Sequence, residues 1–270
     1  MSNEARQFVG SIPGNYDRYM VPLIFDPYAQ DIAQRVVKVK PHAILETAAG
    51  TGVVTAALSK TLSTAATLIA TDLNPAMLDI AMKAITKAGV TFQQADATAL
   101  PFADESFDVV VCQFGVMFFP DKLQGYKEAL RVLRKGGTFL FNVWDRIEFN
   151  EIAAIVSATL ANLFPENPPS FMAKTPHGYN DIAAIKATLT AAGFVGVSAE
   201  IVPKRSHAPS AREAAIGYCQ GTPMRGEIET RDAGKLELAT DLAEETIIKK
   251  LGKGSIDACI QAIVFTAMRP

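Results

Sequence analysis

Cysteine is scarce in this chain: Cys112, Cys219 and Cys259 are the only three among 270 residues, and they stand far apart. Such spacing gives neither a disulfide framework nor a thiolate metal site, so no metal is expected and a reduced, cytoplasmic protein is. Long apolar runs are missing too. The longest, Val109 to Phe119, is broken by Gln113 and falls short of the roughly 18 residues of a membrane helix. Met1 to Gly10 carries Glu4, Arg6 and Gln7 without an apolar stretch, so neither secretion nor a membrane partner is expected. An excess of positive charge is also absent, the formal net charge being −2. This argues against nucleic acid, which requires a concentrated basic face. The one basic cluster, Arg131, Arg134 and Lys135, reads as a helix C-terminus whose dipole favours cations.

What the chain has is hydrophobic content, 49% of its residues, enough for one large α/β core with an accessory lid. Residues 15–39 read as helical, divided by Pro22 and Pro27. Strands and helices then alternate: Ala43–Thr47 strand, Val53–Leu62 helix, Thr67–Thr71 strand, Pro75–Lys87 helix, Val90–Ala95 and Phe107–Gln113 strands. Asn74 before Pro75 is a helix start. Asp121 with Gln124 resembles a capping box, opening a helix that runs to Lys135-Gly136-Gly137, before a strand over Thr138–Val143. This alternation implies a parallel sheet with helices on both faces. Beyond Trp144 the spacing predicts a helix over 149–164, a proline-rich irregular stretch, a helix over Asp181–Ala192, a strand over Val195–Val202, helices near 210–220 and 232–251, and a strand over Ile256–Ala267. The expected organisation is an N-terminal helical cap (1–40), a ligand-binding core (41–145), further core elements with a helical insertion (146–255) and a terminal strand (256–270).

Strand one runs into Ala48-Ala49-Gly50-Thr51-Gly52. A buried strand, a glycine loop and a helix from Val53 together offer backbone N–H groups and a positive helix end to an anionic ligand group, as in Rossmann-like sheets. Glu46, Asp72 and Asp96 end three successive strands, all on the edge where open α/β sheets bind ligands. Asp72, 26 residues after Glu46, suits a ribose diol. Either a nicotinamide cofactor or another adenosine ligand fits these features, although Thr55 occupies the place of the third glycine in G-x-G-x-x-G and leans against NAD.

Four segments carry a family resemblance: Leu45 to Gly52, Ala70 to Leu78, Ala95 to Asp108, and Glu128 to Gly137. With them the chain resembles the class I S-adenosylmethionine-dependent methyltransferases, type 11-like, and among these the small-molecule branch that includes the ubiquinone and menaquinone biosynthesis enzymes. The resemblance implies a seven-stranded, mostly parallel Rossmann-like sheet in the order 3-2-1-4-5-7-6, with a helical lid insertion. It implies S-adenosyl-L-methionine as cofactor, S-adenosyl-L-homocysteine as product, and a small-molecule acceptor. It assigns Gly50 and Gly52 to the methionine moiety with Glu46 beneath the loop, Asp72 to the ribose, and Leu73 and Met77 to adenine. Asp96 and the Ala97 backbone serve the adenine edge, Gln113 and Phe114 the methionine and methyl end, and Tyr16 and Tyr19 close over the cofactor. Ala48 departs from the family, which usually has glycine there, and its Cβ restricts φ.

Methyl transfer from a sulfonium is an in-line displacement, so alignment and exclusion of water are the main requirements. A base is needed only for a protonated nucleophile. His42 precedes strand one, away from the ligand edge, whereas His177 and His207 fall in segments able to reach a pocket; none is assigned, and no catalytic residue is named. Phe114, Phe118, Phe119 and Trp144 are candidates for an apolar acceptor pocket. A nicotinamide-dependent oxidoreductase and a non-catalytic S-adenosylmethionine-binding protein are the alternatives, and monomer and homodimer both stay open.

Overall fold

Near-continuous apolar runs, rather than alternating ones, form the central strands, and this is the pattern of a sheet covered on both faces. Ile44, Leu45, Val109, Val110, Val111 and Cys112 are all fully buried. The computed structural model describes residues 10–63 and 65–270; the first nine residues, and with them the expected start of the N-terminal cap, lie outside. The strands are β1 (Ala43–Glu46), β2 (Thr67–Asp72), β3 (Val90–Gln94), β4 (Phe107–Gln113), β5 (Leu133–Trp144), β6 (Val195–Ala208) and β7 (Ile256–Met268). They form one seven-stranded sheet, β3-β2-β1-β4-β5-β7-β6. β1 runs parallel to β2 and β4, β3 to β2, and β5 to β4, while β7 is antiparallel to β5 and β6. The α/β architecture and strand order are those the family resemblance implies.

The helices before the insertion are α1 (Ile12–Asn15), α2 (Asp26–Val39), α3 (Val53–Thr61), α4 (Pro75–Ala84) and α5 (Lys122–Val132). Asn74 and Asp121 cap the last two, accepting from the Ala76 and Gln124 backbone N–H groups. After β5 come α6 (Glu151–Leu163), α7 (Phe171–Lys174), α8 (Ile182–Ala192), α9 (Ala211–Gln220), α10 (Met224–Arg231) and α11 (Leu236–Leu251). Gly193 stops α8 in the left-handed conformation at φ 107°, where a Cβ would be strained.

The structure departs from the sequence reading in four places. Tyr16–Phe25 is a π-helix with Pro22 inside it; the Asp26 N–H reaches back to the Val21 carbonyl, an i→i+5 pattern that hydrophobic spacing does not distinguish from an α-helix. The helix opened by Asp121 ends at Val132 rather than at the glycine pair, because Leu133 already pairs with Phe107. Arg134 and Lys135 are therefore strand residues, not helix-end cations, and Arg134 bonds Asp108 at 2.6 Å. β6 continues past Pro203 to Ala208, where proline is tolerated because β6 pairs on one side only. The helix expected over 232–251 starts at Leu236, preceded by the separate α10. Among the described residues no helix is long and apolar enough to cross a membrane. All three cysteines are free, with Cys112 and Cys219 buried and Cys259 exposed.

Candidate active site

Three left-handed residues alternate through the loop after β1: Ala48 (φ 53°), Gly50 (φ 59°) and Gly52 (φ 89°). The Thr47 and Ala49 N–H groups tie the loop to β4 and β2 through the Val111 and Thr71 carbonyls, each at 2.9 Å. The two glycines serve different neighbours. A Cβ on Gly50 would face Met77 Cε at 3.7 Å and the Tyr16 hydroxyl at 4.0 Å, whereas one on Gly52 would strike Ile85 Cδ1 at 2.8 Å. Gly50 therefore borders the cavity above the loop, and Gly52 lets α3 and α4 approach.

The three carboxylates divide into one beneath this loop and two beside the cavity. Glu46 is 2% exposed, and its Oε2 accepts from Thr55 Oγ1 at 2.6 Å. Burial pushes its pKa up to about 8, opposed by the bonds from Thr55. This bond explains the threonine where a dinucleotide fingerprint has glycine. Asp72 receives the Gly50 N–H on Oδ2 and the Asn74 N–H on Oδ1, both at 2.8 Å. Burial raises its pKa and the backbone N–H groups of Asn74, Gly50 and Leu73 oppose the rise. Each oxygen, once anchored from the protein side, keeps acceptor capacity for a ligand. Asp96 Oδ1 takes the Thr98 N–H (2.8 Å) and hydroxyl (2.7 Å).

At the end of β4, Phe114 holds φ 53°, unusual for a bulky residue. Its N–H is shared between the Asn142 carbonyl (3.2 Å) and Asn142 Oδ1 (2.9 Å). The ring stacks on Trp144 with centroids 3.9 Å apart and planes at 7°, and meets Phe25 and Tyr28 edge-on. Neighbouring Gln113 gives its amide to the Phe25 carbonyl at 3.2 Å, and its buried Oε1 has no partner. An orphaned acceptor is costly unless something else meets it.

These groups line one cavity. Of the residues assigned from sequence, Tyr16, Ala48, Gly50, Asp72, Leu73, Met77, Asp96, Ala97, Gln113 and Phe114 border it. Three do not. Glu46 lies under the loop, Gly52 faces Ala81 and Ile85, and Tyr19 packs against Gly217 and lies under the Arg18 guanidinium. Phe118, Phe119 and Trp144 line the same cavity. His177 does not: it is buried beside Trp144 with Nδ1 at 2.7 Å from the Asp145 carbonyl. His207 is exposed on β6 beside Asp257. Sequence reading missed Met20, Ile24 and Phe25 of the π-helix, Met117 and Pro120, and the Phe171, Met172, Pro176, Thr222 and Pro223 wall from the insertion. No motif marks these residues, although the proline cluster around 165–176 signalled an irregular segment.

The loop carrying Asp96 is pinned from α5. Arg131 donates to the Leu100 and Phe102 carbonyls and pairs with Glu128 and Asp104, and Glu128 accepts the Leu100 N–H at 2.7 Å.

Known proteins resemble this chain in both sequence and fold. A methyltransferase-domain family model matches residues 45–141. An uncharacterized protein of Mycobacterium tuberculosis is 37% identical over 130 residues, covering 47% of this chain and 46% of that protein; the chain thus spans about half the length of this relative. A demethylmenaquinone methyltransferase of Clavibacter sepedonicus is 31% identical over 172 residues, covering 60% of this chain and 69% of the relative. In fold, a Haemonchus contortus phosphoethanolamine N-methyltransferase 2 crystallised with S-adenosyl-L-methionine superposes with a TM-score of 0.63 at 15% identity, covering 98% of this chain and 58% of that one. Kinship in sequence and agreement in strand order lead to one assignment: the chain belongs to the class I S-adenosylmethionine-dependent methyltransferases, and within them resembles the ubiquinone and menaquinone biosynthesis enzymes.

Proposed function

We propose that this chain transfers a methyl group from S-adenosyl-L-methionine to a small molecule held at the apolar end of the cavity. The observation that carries the reading is the pairing of Asp72, fixed by two backbone N–H groups, with the orphaned Gln113 oxygen in the same cavity. The two fit opposite ends of that cofactor. Asp72 suits ribose hydroxyls, and Gln113 Oε1 suits an ammonium donor. Asp96 and the Ala97 backbone suit an adenine edge, with Leu73 and Met77 as its apolar bed. Bound there, the cofactor supplies an electrophilic methyl carried on a cationic sulfur. The protein's part is to orient that end and exclude water, which the Phe25, Phe114 and Trp144 rings do by filling the space around it. Their faces also suit a cation.

The nicotinamide alternative fits less well. A pyrophosphate needs the loop N–H groups, yet the Gly50 N–H is already engaged by the Asp72 carboxylate at 2.8 Å, whose negative charge repels phosphate. The scarce, unpaired cysteines suit a reducing, cytoplasmic setting.

Native mass spectrometry of the purified protein tests cofactor identity: co-purified S-adenosylmethionine or S-adenosylhomocysteine is expected, and a bound nicotinamide nucleotide would overturn the proposal. Asp72→Ala should weaken S-adenosylhomocysteine binding by about 1–3 kcal/mol, the scale of a lost partner for buried polar groups. Formation of S-adenosylhomocysteine in the presence of acceptor separates an enzyme from a protein that only binds the cofactor.

A further inference from the structure

Asn142 lies on β5 in register with Gln113 at the end of β4. It is fully buried and stands outside the residues that line the cavity, yet two unfavourable features meet at its side chain. The first is the backbone of Phe114, held at φ 53°, a conformation that a bulky residue keeps only where its surroundings over-determine it. The second is Asn142 Nδ2, a buried donor with no partner. Turning the amide over would not relieve it. Asn142 Oδ1 accepts the Phe114 N–H at 2.9 Å, a role that only the oxygen can fill, so the nitrogen stays orphaned.

Leaving a buried donor unmet costs more than one neutral bond repays, and the Phe114 N–H already has the Asn142 carbonyl at 3.2 Å. For stability alone, an apolar residue of the same size would serve at least as well. What Asn142 contributes is direction. Held by both the main chain and the side chain of Asn142, the planar peptide between Gln113 and Phe114 is fixed. From it project two side chains that border the cavity: Gln113, whose buried Oε1 lacks a partner, and Phe114, whose ring stacks on Trp144 at 3.9 Å.

We propose that Asn142 is a positioning residue for methyl transfer: it touches no ligand and acts through Phe114, holding the left-handed turn that aims Gln113 Oε1 and the Phe114 ring at the methionine end of the cofactor. The inference rests on the methyltransferase reading for what occupies that end.

Three substitutions in the intact chain test it. Asn142→Leu removes the side-chain acceptor, Asn142→Asp keeps it, and Phe114→Gly supplies a residue that adopts positive φ unaided. Trp144 is the chain's only tryptophan, so the tryptophan band of the near-ultraviolet circular dichroism reports the stack without any ligand. Asn142→Leu should lose that signal, keep a thermal midpoint no lower than the native one, and bind S-adenosylhomocysteine roughly tenfold more weakly, the scale of one hydrogen bond to a charged group, while binding adenosine as before. Asn142→Asp should keep the signal and most of the affinity. Within Phe114→Gly, adding Asn142→Leu should cost no further affinity. A lower midpoint in Asn142→Leu, or a parallel loss of adenosine, would make Asn142 a support of the core and overturn the assignment. An equal loss in the glycine background, or an Asn142→Asp variant no better than Asn142→Leu, overturns it too. If the native chain binds S-adenosylhomocysteine no more tightly than adenosine, the methyltransferase reading falls as well; if it binds it more tightly and Asn142→Leu matches the native chain, only the role of Asn142 fails.

Discussion

The methyl group of Ala48 occupies the space that a side chain at Gly115 would need. A Cβ built on Gly115 collides with it, and also approaches Cys112 Sγ to 2.7 Å. The left-handed loop alanine is thus matched by a glycine across from it. Gly115→Ala should destabilise the fold by about 1–3 kcal/mol through overpacking. Ala48→Gly removes a left-handed alanine and should be neutral or stabilising by up to about 1 kcal/mol. The double variant should recover part of the Gly115→Ala loss, the Cys112 contact keeping the rest. Denaturant midpoints for the four members of the cycle measure the coupling; strict additivity would mean that the two positions do not meet.

Glu46 and His177 give stability a pH dependence of opposite sign. The Glu46 pKa is raised to about 8, so its contribution is fully present below the ordinary carboxylate range and is lost as pH rises through about 8. Burial lowers the His177 pKa to about 4, so the unfolded chain binds the extra proton and stability falls as pH drops from about 6.5 towards 4. Between about 6.5 and 8 only the Glu46 slope of this pair acts. Thermal midpoints measured across that window should fall with pH in the native sequence and lie flatter in Glu46→Gln.

Arg131 ties α5 to the segment that follows Asp96, donating to two backbone carbonyls and two carboxylates. Lysine cannot reproduce the planar fork. Arg131→Lys should cost about 1–2 kcal/mol of stability, the scale of partners left unmet at a partly exposed site. It should also speed hydrogen exchange at the Thr98 and Leu100 N–H groups, which bond Asp96 and Glu128. Unchanged exchange there would leave Arg131 as a surface ion pair and no more.

Much of the cofactor half of the site was legible because it is local. A strand, a left-handed loop and a helix start occupy residues 43–53, so their physical requirements show as adjacent letters, and Asp72 and Asp96 stand at strand ends that hydrophobic runs delimit. Thr55 illustrates the limit: sequence spacing showed only that it is not glycine, and its partner Glu46 emerges from the fold. The apolar half was illegible for the opposite reason. Met20, Met172 and Thr222 come from three segments whose letters carry no periodicity beyond that of ordinary helices, and only the fold brings them to one cavity. Asn142 was hidden likewise, an isolated polar residue within an apolar strand whose use depends on the unusual φ of Phe114.

Glu227 offers a separate test of the insertion. Its Oε2 accepts the Ser170 and Phe171 N–H groups at 2.7 and 3.3 Å, fixing the start of α7 and hence the Phe171 wall. Glu227→Ala should speed hydrogen exchange at the Ser170 and Phe171 N–H groups about tenfold or more, on the scale of a lost charge-assisted bond, and leave S-adenosylhomocysteine affinity unchanged. A parallel loss of S-adenosylhomocysteine affinity would mean that the insertion supports the whole site rather than one end.

The wide helix over Tyr16–Phe25 makes this segment intolerant of changes in length. Its i→i+5 bonding brings Phe25 onto the same side as Tyr16, Met20 and Ile24 along the cavity, whereas an ordinary α-helix would turn Phe25 away from the other three. Removing a single residue would let the turn rewind to the tighter form, gaining better backbone bonds while swinging the tyrosine off target. A shorter, sturdier variant that has lost its ligand is the outcome such a deletion should produce.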